Sequence, residues 1–119
     1  MLSVGCLKEN NDYDFRVSLT PETAKKLIQK NINVLIEEDS GLSSGFSNNH
    51  YEKVGAKILK GQELLINNSD IILSVNPLDI NFQKIPKEVK SKIFIGNFNF
   101  HNTIPDKRFT FLALERIPR

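Results

Sequence analysis

Nowhere in the 119 residues is there a G-x-G-x-x-G, or a glycine loop ending in Gly-Lys-Ser/Thr. The pyrophosphate of a dinucleotide needs such glycines for close backbone approach at a helix N-terminus. The loop Gly41-Leu-Ser-Ser-Gly45 has neither spacing and reads as a turn with left-handed residues. Cysteine is nearly missing too. Cys6 stands alone, which excludes an internal disulfide and fits a reducing compartment. Set in an apolar strand, it reads as a small core residue rather than a nucleophile. The only histidines, His50 and His101, are far apart, so no metal-ligand spacing exists and no metal site is expected. No apolar run approaches the ~20 residues of a membrane span. Met1-Leu-Ser-Val lacks the charged start and long apolar stretch of a signal peptide, so direct membrane insertion is not expected. A basic run is absent as well: 16 basic and 14 acidic residues are mixed along the chain, for a net charge of +2. That balance argues against nucleic acid or an anionic membrane as partner.

What is present is a series of short apolar strands between short helices. Met1 to Val4 is a strand running into Gly5, and a polar loop from Lys8 to Asp14 follows. Arg16 then sits between Phe15 and Val17, just before Thr20-Pro21. Threonine is a good N-cap and proline suits the first helical turn, so a helix runs from Pro21 to about Lys30. Ala24, Leu27 and Ile28 form its apolar stripe, and Glu22 pairs with Lys26. Asn33–Glu37 reads as a buried strand. Ser47 caps a short helix carrying Tyr51 and Val54, which Gly55 ends. His50 lies on that helix's polar face. Further strands are expected over Ala56–Leu59, Asp70–Val75, Lys92–Gly96 and Phe109–Leu114. Gly61–Asn67 forms a helix with Leu64 and Leu65 inward, and Leu78–Val89 is irregular with one helical turn. Phe98 and Phe100 alternate with Asn97, Asn99 and Asn102, a pattern of core aromatics at a strand end rather than a base-stacking platform.

This alternation predicts an α/β domain: a Rossmann-like (flavodoxin-like), open and mostly parallel sheet with helices on its faces, over residues 1–119. The last connection leaves only ~12 residues between strands, which is short for a crossover. The chain is expected to be incomplete as a domain, with part of its sheet uncovered and Ile, Leu and Phe exposed. The loop after the first strand doubles back toward the start of a helix and holds Arg16 near the carboxyl end of the sheet, where ligands gather in such folds.

Four ordered blocks carry a resemblance. GCLKE (Gly5 to Glu9) is followed after seven positions by Arg16 in FRVSLTP; then come EEDSGLSSGFSNNHYEKVGAKI (Glu37 to Ile58), SDIILSVNPLD (Ser69 to Asp79) and LALERIPR (Leu112 to Arg119). Together they resemble the N-terminal domain shared by alanine dehydrogenase and the NAD(P) transhydrogenase alpha subunit. Leu7 stands where proline is usual in that family, Tyr13-Asp14 where Asn-Glu is usual, and Ser18 where alanine is usual. Alanine dehydrogenases place a substrate-binding lysine before the proline of the third block; here it is Asn76. They place a catalytic histidine where Asn99 aligns, with His101 two positions on, on the same face of an extended segment. These features resemble the transhydrogenase branch more closely.

The resemblance implies the first part of the soluble NAD(H)-binding component of a proton-translocating NAD(P) transhydrogenase, which passes hydride between NADH and NADP⁺. It implies that Arg16 holds a substrate carboxylate in the dehydrogenase branch, through the bidentate fork that arginine offers. The plain alternative is an arginine paired with Asp14 or Glu37. His101 is a weaker substrate-binding candidate. Arg119 matches the first arginine of a loop contacting the nicotinamide end of NAD(H), and its glutamine and aspartate partners lie beyond this sequence. No catalytic residue is assigned. NAD(H) is expected only with a downstream Rossmann domain, which is absent here, and the isolated chain is expected to bind no cofactor and to be inactive. Expected partners are that domain and the other transhydrogenase components, with a dimeric soluble component. The expected location is cytoplasmic, or the mitochondrial matrix side, peripheral to the membrane. Two alternatives remain: a catalytically silent standalone domain that binds a partner chain, and a substrate-domain fragment of a diverged alanine dehydrogenase.

Overall fold

The computed structural model describes residues 1–9, 17–74, 85–89, 91–96 and 108–113. Six strands appear among them: β1 (Ser3–Cys6), β2 (Asn33–Glu37), β3 (Lys57–Leu59), β4 (Ile71–Leu73), β5 (Ile93–Gly96) and β6 (Thr110–Ala113). The helices are α1 (Pro21–Gln29), α2 (Asn48–Lys53) and α3 (Gln62–Asn68), with a 3₁₀ turn over Leu42–Ser44. Every strand pairing is parallel, and the order across the sheet is β3-β2-β1-β4-β5-β6. The α/β, open parallel sheet expected from the sequence is therefore present. Of the two common doubly wound orders, it follows the 3-2-1-4-5-6 one rather than the flavodoxin-like 2-1-3-4-5. Even the short last connection, residues 97 to 109, joins parallel strands.

Alternation along the strands sorts side chains onto two faces. Val4, Cys6, Val34 and Ile36 pack with Leu19, Ala24, Tyr51 and Ala56 on the face covered by α1 and α2. Leu35, Leu59, Ile72 and Phe94 pack with Leu65, Ile66, Ile85 and Phe109 on the α3 face. Full burial of each such Leu, Ile or Phe side chain contributes about 1.5–3 kcal/mol. Both faces of β2 are therefore apolar, which explains why Val34-Leu35-Ile36 reads as a continuous run instead of an alternating one. Beyond β4 the α1 face is thinner. Leu112 on β6 is 44% exposed, and Ile93 and Ile95 beside it are half-buried.

The helix ends follow from local chemistry. Thr20 accepts the Thr23 N–H through its Oγ1 at 3.2 Å, and Pro21 opens α1. Glu22 and Lys26 stand 3.9 Å apart on its exposed side, a contact of small energetic weight. Asn31 turns the chain in the left-handed region at φ 64°. At α2, the Ser47 N–H donates to His50 Nδ1 at 2.9 Å, so the exposed histidine closes the helix start. The C-terminus of α3 is closed from another strand's flank: Lys92 Nζ donates to the carbonyls of Asn67 (3.1 Å) and Ser69. A cation there also meets the negative end of the helix dipole.

One helix register differs from expectation. In α3, Leu65 and Ile66 are buried and Leu64 is 47% exposed, whereas the sequence predicts Leu64 and Leu65 inward. Three consecutive apolar residues cannot all face a sheet. Gly5 decides which two do, because it lets α3 settle with Leu65 and Ser69 directly over β1.

Candidate functional site

In this strand order β1 and β4 are neighbours, and the next described elements after them pack on opposite faces of the sheet. β1 leads to α1 on one face, and the segment containing Ile85 packs on the other. The crevice outside their carboxyl ends is where open α/β sheets gather ligands. Residues 7 to 9 occupy it and are tied on both sides. The Leu7 N–H donates to the Leu73 carbonyl at 3.0 Å, extending the ladder toward β4. The Lys8 N–H donates to Glu37 Oε1, at the end of β2, at 2.7 Å. Ser74 Oγ donates to the Glu9 carboxylate at 3.1 and 3.4 Å, across the gap between the β1 and β4 ends. Ser40 braces the same rim from below, donating to the Glu37 carbonyl at 2.6 Å.

Burial holds the Glu37 carboxyl above the usual carboxylate range, with Glu9 adding to the shift; the Lys8 N–H bond and charge oppose it. Cys6 is fully buried with its Sγ 3.0 Å from Ser18 Oγ, and burial pushes the thiol up to about 11. With that shift the thiol is protonated at neutral pH, as in a buried structural cysteine. Among the described residues, no three His, Cys, Asp or Glu residues stand together to hold a metal ion, and no helix is long and apolar enough to cross a membrane.

Of the residues singled out from the sequence, Arg16, His101 and Arg119 lie outside the described residues, as do Asp14, Asn76 and Asn99. Glu37, the alternative partner considered for Arg16, is described, and its carboxylate accepts the Lys8 amide. In the glycine–serine loop, Gly45 is left-handed at φ 87°, as expected of a turn. Gly41 has φ −96° and serves close packing: a Cβ there would sit 2.6 Å from the Tyr51 hydroxyl. The residues sequence reasoning passes over are Ser40 and Ser74, both buried. Glu9 is visible as the last residue of GCLKE, but its partner is 65 positions away, and no local pattern signals such a pairing.

Comparison with known proteins gives this crevice a family context. The family described as "Alanine dehydrogenase/PNT, N-terminal domain" matches residues 5–119. The first part of the NAD(P) transhydrogenase subunit alpha of Rickettsia prowazekii (strain Madrid E) is 31% identical, over 99% of this chain and 33% of the relative. Alanine dehydrogenase 1 of Staphylococcus aureus (strain Mu50 / ATCC 700699) is 35% identical, over 71% of this chain and 22% of the relative. Among solved structures, a transhydrogenase from Sinorhizobium meliloti superposes with a TM-score of 0.66 at 26% identity, over 81% of this chain and 28% of that one. An L-alanine dehydrogenase gives 0.68 at 22% identity, over 80% and 26%, and speaks for the fold alone. The chain thus spans about a third or less of the relatives it matches. A parallel sheet in the 3-2-1-4-5-6 order, and a family match from the first glycine to the last residue, lead to one conclusion: the chain belongs to the alanine dehydrogenase/transhydrogenase N-terminal domain family.

Proposed function

We propose that this chain supplies one wall of the nucleotide crevice of an NAD(P) transhydrogenase alpha component, and that a separate glycine-lined domain grips the NAD(H). The observation that carries this reading is the chemistry at the start of α1. In a dinucleotide-binding turn that helix start carries glycines and free N–H groups for the pyrophosphate. Here Thr20 Oγ1 already accepts the Thr23 N–H and Pro21 has no N–H to offer. GCLKE and a seven-position spacer to Arg16 stand in place of the fingerprint. The residues present do not fit a dinucleotide pyrophosphate, so this domain contributes a wall and not the grip.

The match to a transhydrogenase subunit over 99% of the chain, against 71% for an alanine dehydrogenase, supports the transhydrogenase branch. Asn76 supports it as well, standing where the dehydrogenase branch carries a lysine. On this reading Arg16 and Arg119 border the crevice, His101 is dispensable, hydride passes from NADH to NADP⁺ on other domains, and the working component is a dimer peripheral to a membrane. The isolated chain is then inactive, and isothermal titration with NADH gives no heat at micromolar concentrations; micromolar binding overturns the reading. A positive test replaces the matching first third of the Rickettsia prowazekii subunit with this chain. A folded chimera that still transfers hydride between NADH and NADP⁺ supports the proposal. One that instead reductively aminates pyruvate assigns the chain to the dehydrogenase branch.

A further inference from the structure

We propose that Glu9 and Ser74 form a brace across the switch-point crevice, making Glu9 a positioning residue that fixes how far the chain after β1 stands from the chain after β4. The functional meaning of the brace rests on the crevice reading above; its existence does not.

The β1–β4 ladder ends at the bond from the Leu7 N–H to the Leu73 carbonyl. Past that point the Ser74–Glu9 bond joins the two strand ends. Each end of it is anchored elsewhere. Ser74 is buried, and its N–H donates to the Ile95 carbonyl at 3.0 Å, so it moves with β5. Glu9 follows directly on Lys8, whose N–H is held by Glu37 at the end of β2. The carboxylate therefore connects the β1–β2 half of the sheet to the β4–β5 half at the level where a ligand would enter. A hydroxyl donating to a carboxylate is a charge-assisted bond, about twice as strong as a neutral one.

The geometry also says which replacements preserve the brace. Glutamine keeps both the reach and an acceptor oxygen. Aspartate keeps the charge and loses one methylene of reach, which the 3.1 Å contact does not spare. A role through charge alone would rank these two the other way round.

The test is amide hydrogen exchange followed by NMR on the 119-residue chain, with Glu9→Ala, Glu9→Gln, Glu9→Asp, Ser74→Ala and the Glu9→Ala/Ser74→Ala double variant. Removing the brace is expected to speed exchange at the Leu7 and Lys8 amides on the order of tenfold, as for loss of one hydrogen bond to a charged group. Glu9→Gln, which keeps a neutral bond of about half the strength, should lie between the parent and Glu9→Ala, while Glu9→Asp should match Glu9→Ala. The double variant should be no faster than Glu9→Ala, and the Leu35 and Ile36 amides should be unchanged in all of them. The proposal fails if the double variant is the product of the singles, if Asp protects better than Gln, or if the β2 amides speed up equally. No nucleotide enters the assay, so failure here leaves the proposed function standing, and NADH binding by the chain would leave the brace standing.

Discussion

Gly5 predicts the sharpest mutational effect in the fold. It lies in the central strand beneath α3, and a Cβ built on it would be 2.2 Å from Ser69 Oγ, 3.0 Å from Ser69 Cβ and 3.2 Å from Leu65 Cγ. Ordinary contact begins about 3.4 Å away, and the hydroxyl cannot simply swing aside. Ser69 is fully buried, and its Oγ donates to the Leu65 carbonyl at 2.7 Å. Gly5→Ala must therefore either lift α3 from the sheet or break that bond. Overpacking a core site costs about 1–3 kcal/mol, and the lost bond about 1 kcal/mol. Either way a net loss of about 1–3 kcal/mol follows, which lowers the melting temperature by about 4–12 °C for a domain of this size. Ser69→Ala alone should cost about 1 kcal/mol. In the double variant the shortest contact disappears with the hydroxyl, so Gly5→Ala/Ser69→Ala should be more stable than Gly5→Ala, with a coupling of at least about 1 kcal/mol. Urea unfolding of the four proteins, read by circular dichroism, gives all the terms. A Gly5→Ala chain within about 0.5 kcal/mol of the parent, or two strictly additive effects, refutes the packing argument.

Three further outcomes follow from the same structure. Tyr51→Phe removes the hydroxyl that donates to the Leu19 carbonyl at 2.8 Å; leaving a buried acceptor unpaired should cost about 1–3 kcal/mol in urea unfolding, and no change would show that water reaches that carbonyl. With its thiol pushed up to about 11, Cys6 should be under about 1% thiolate at pH 8 and react with Ellman's reagent only on unfolding; native labelling at the rate of a free thiol would contradict its burial. Glu37 has its folded pKa above the usual carboxylate range, so the folded state binds its proton more tightly and the stability this contributes is lost as pH rises through that pKa. Glu37→Gln should accordingly melt higher than the parent at pH 7, with the difference shrinking as pH falls into the ordinary carboxylate range; calorimetry showing a pH-independent difference would sink this reading.

The regular elements were legible because their signals are local. Asn33–Glu37 is a run of apolar residues closed by charges, and it forms the strand over those very residues. Thr20-Pro21, Asn31 and Gly55 mark helix boundaries by their own backbone preferences and do so here. The register of α3 was not legible, because choosing Ile66 over Leu64 depends on Gly5, some 60 residues earlier. The crevice was half legible. GCLKE pointed to the carboxyl end of β1, Arg16 lies outside the described residues, and the family blocks pointed to the right relatives. What ties that end together, Glu9 to Ser74 and Lys8 to Glu37, joins residues 65 and 29 positions apart. Neither composition nor periodicity encodes such partners, whose meeting is decided by strand order.

The all-parallel pairing also governs how the chain acquires its shape. Among the described residues no two neighbouring strands form a hairpin: Ile93 meets Thr110 across 17 positions, and Val4 meets Ile71 across 67. Each association must close a sizeable loop before any contact rewards it, which puts the polypeptide toward the slower end of small-domain folding. The middle strand completes its second flank only once Ile71, 67 positions after Val4, has emerged from the ribosome. Until then one side of β1 awaits its neighbour, and that interval is when a nascent copy is most open to pairing with the wrong one.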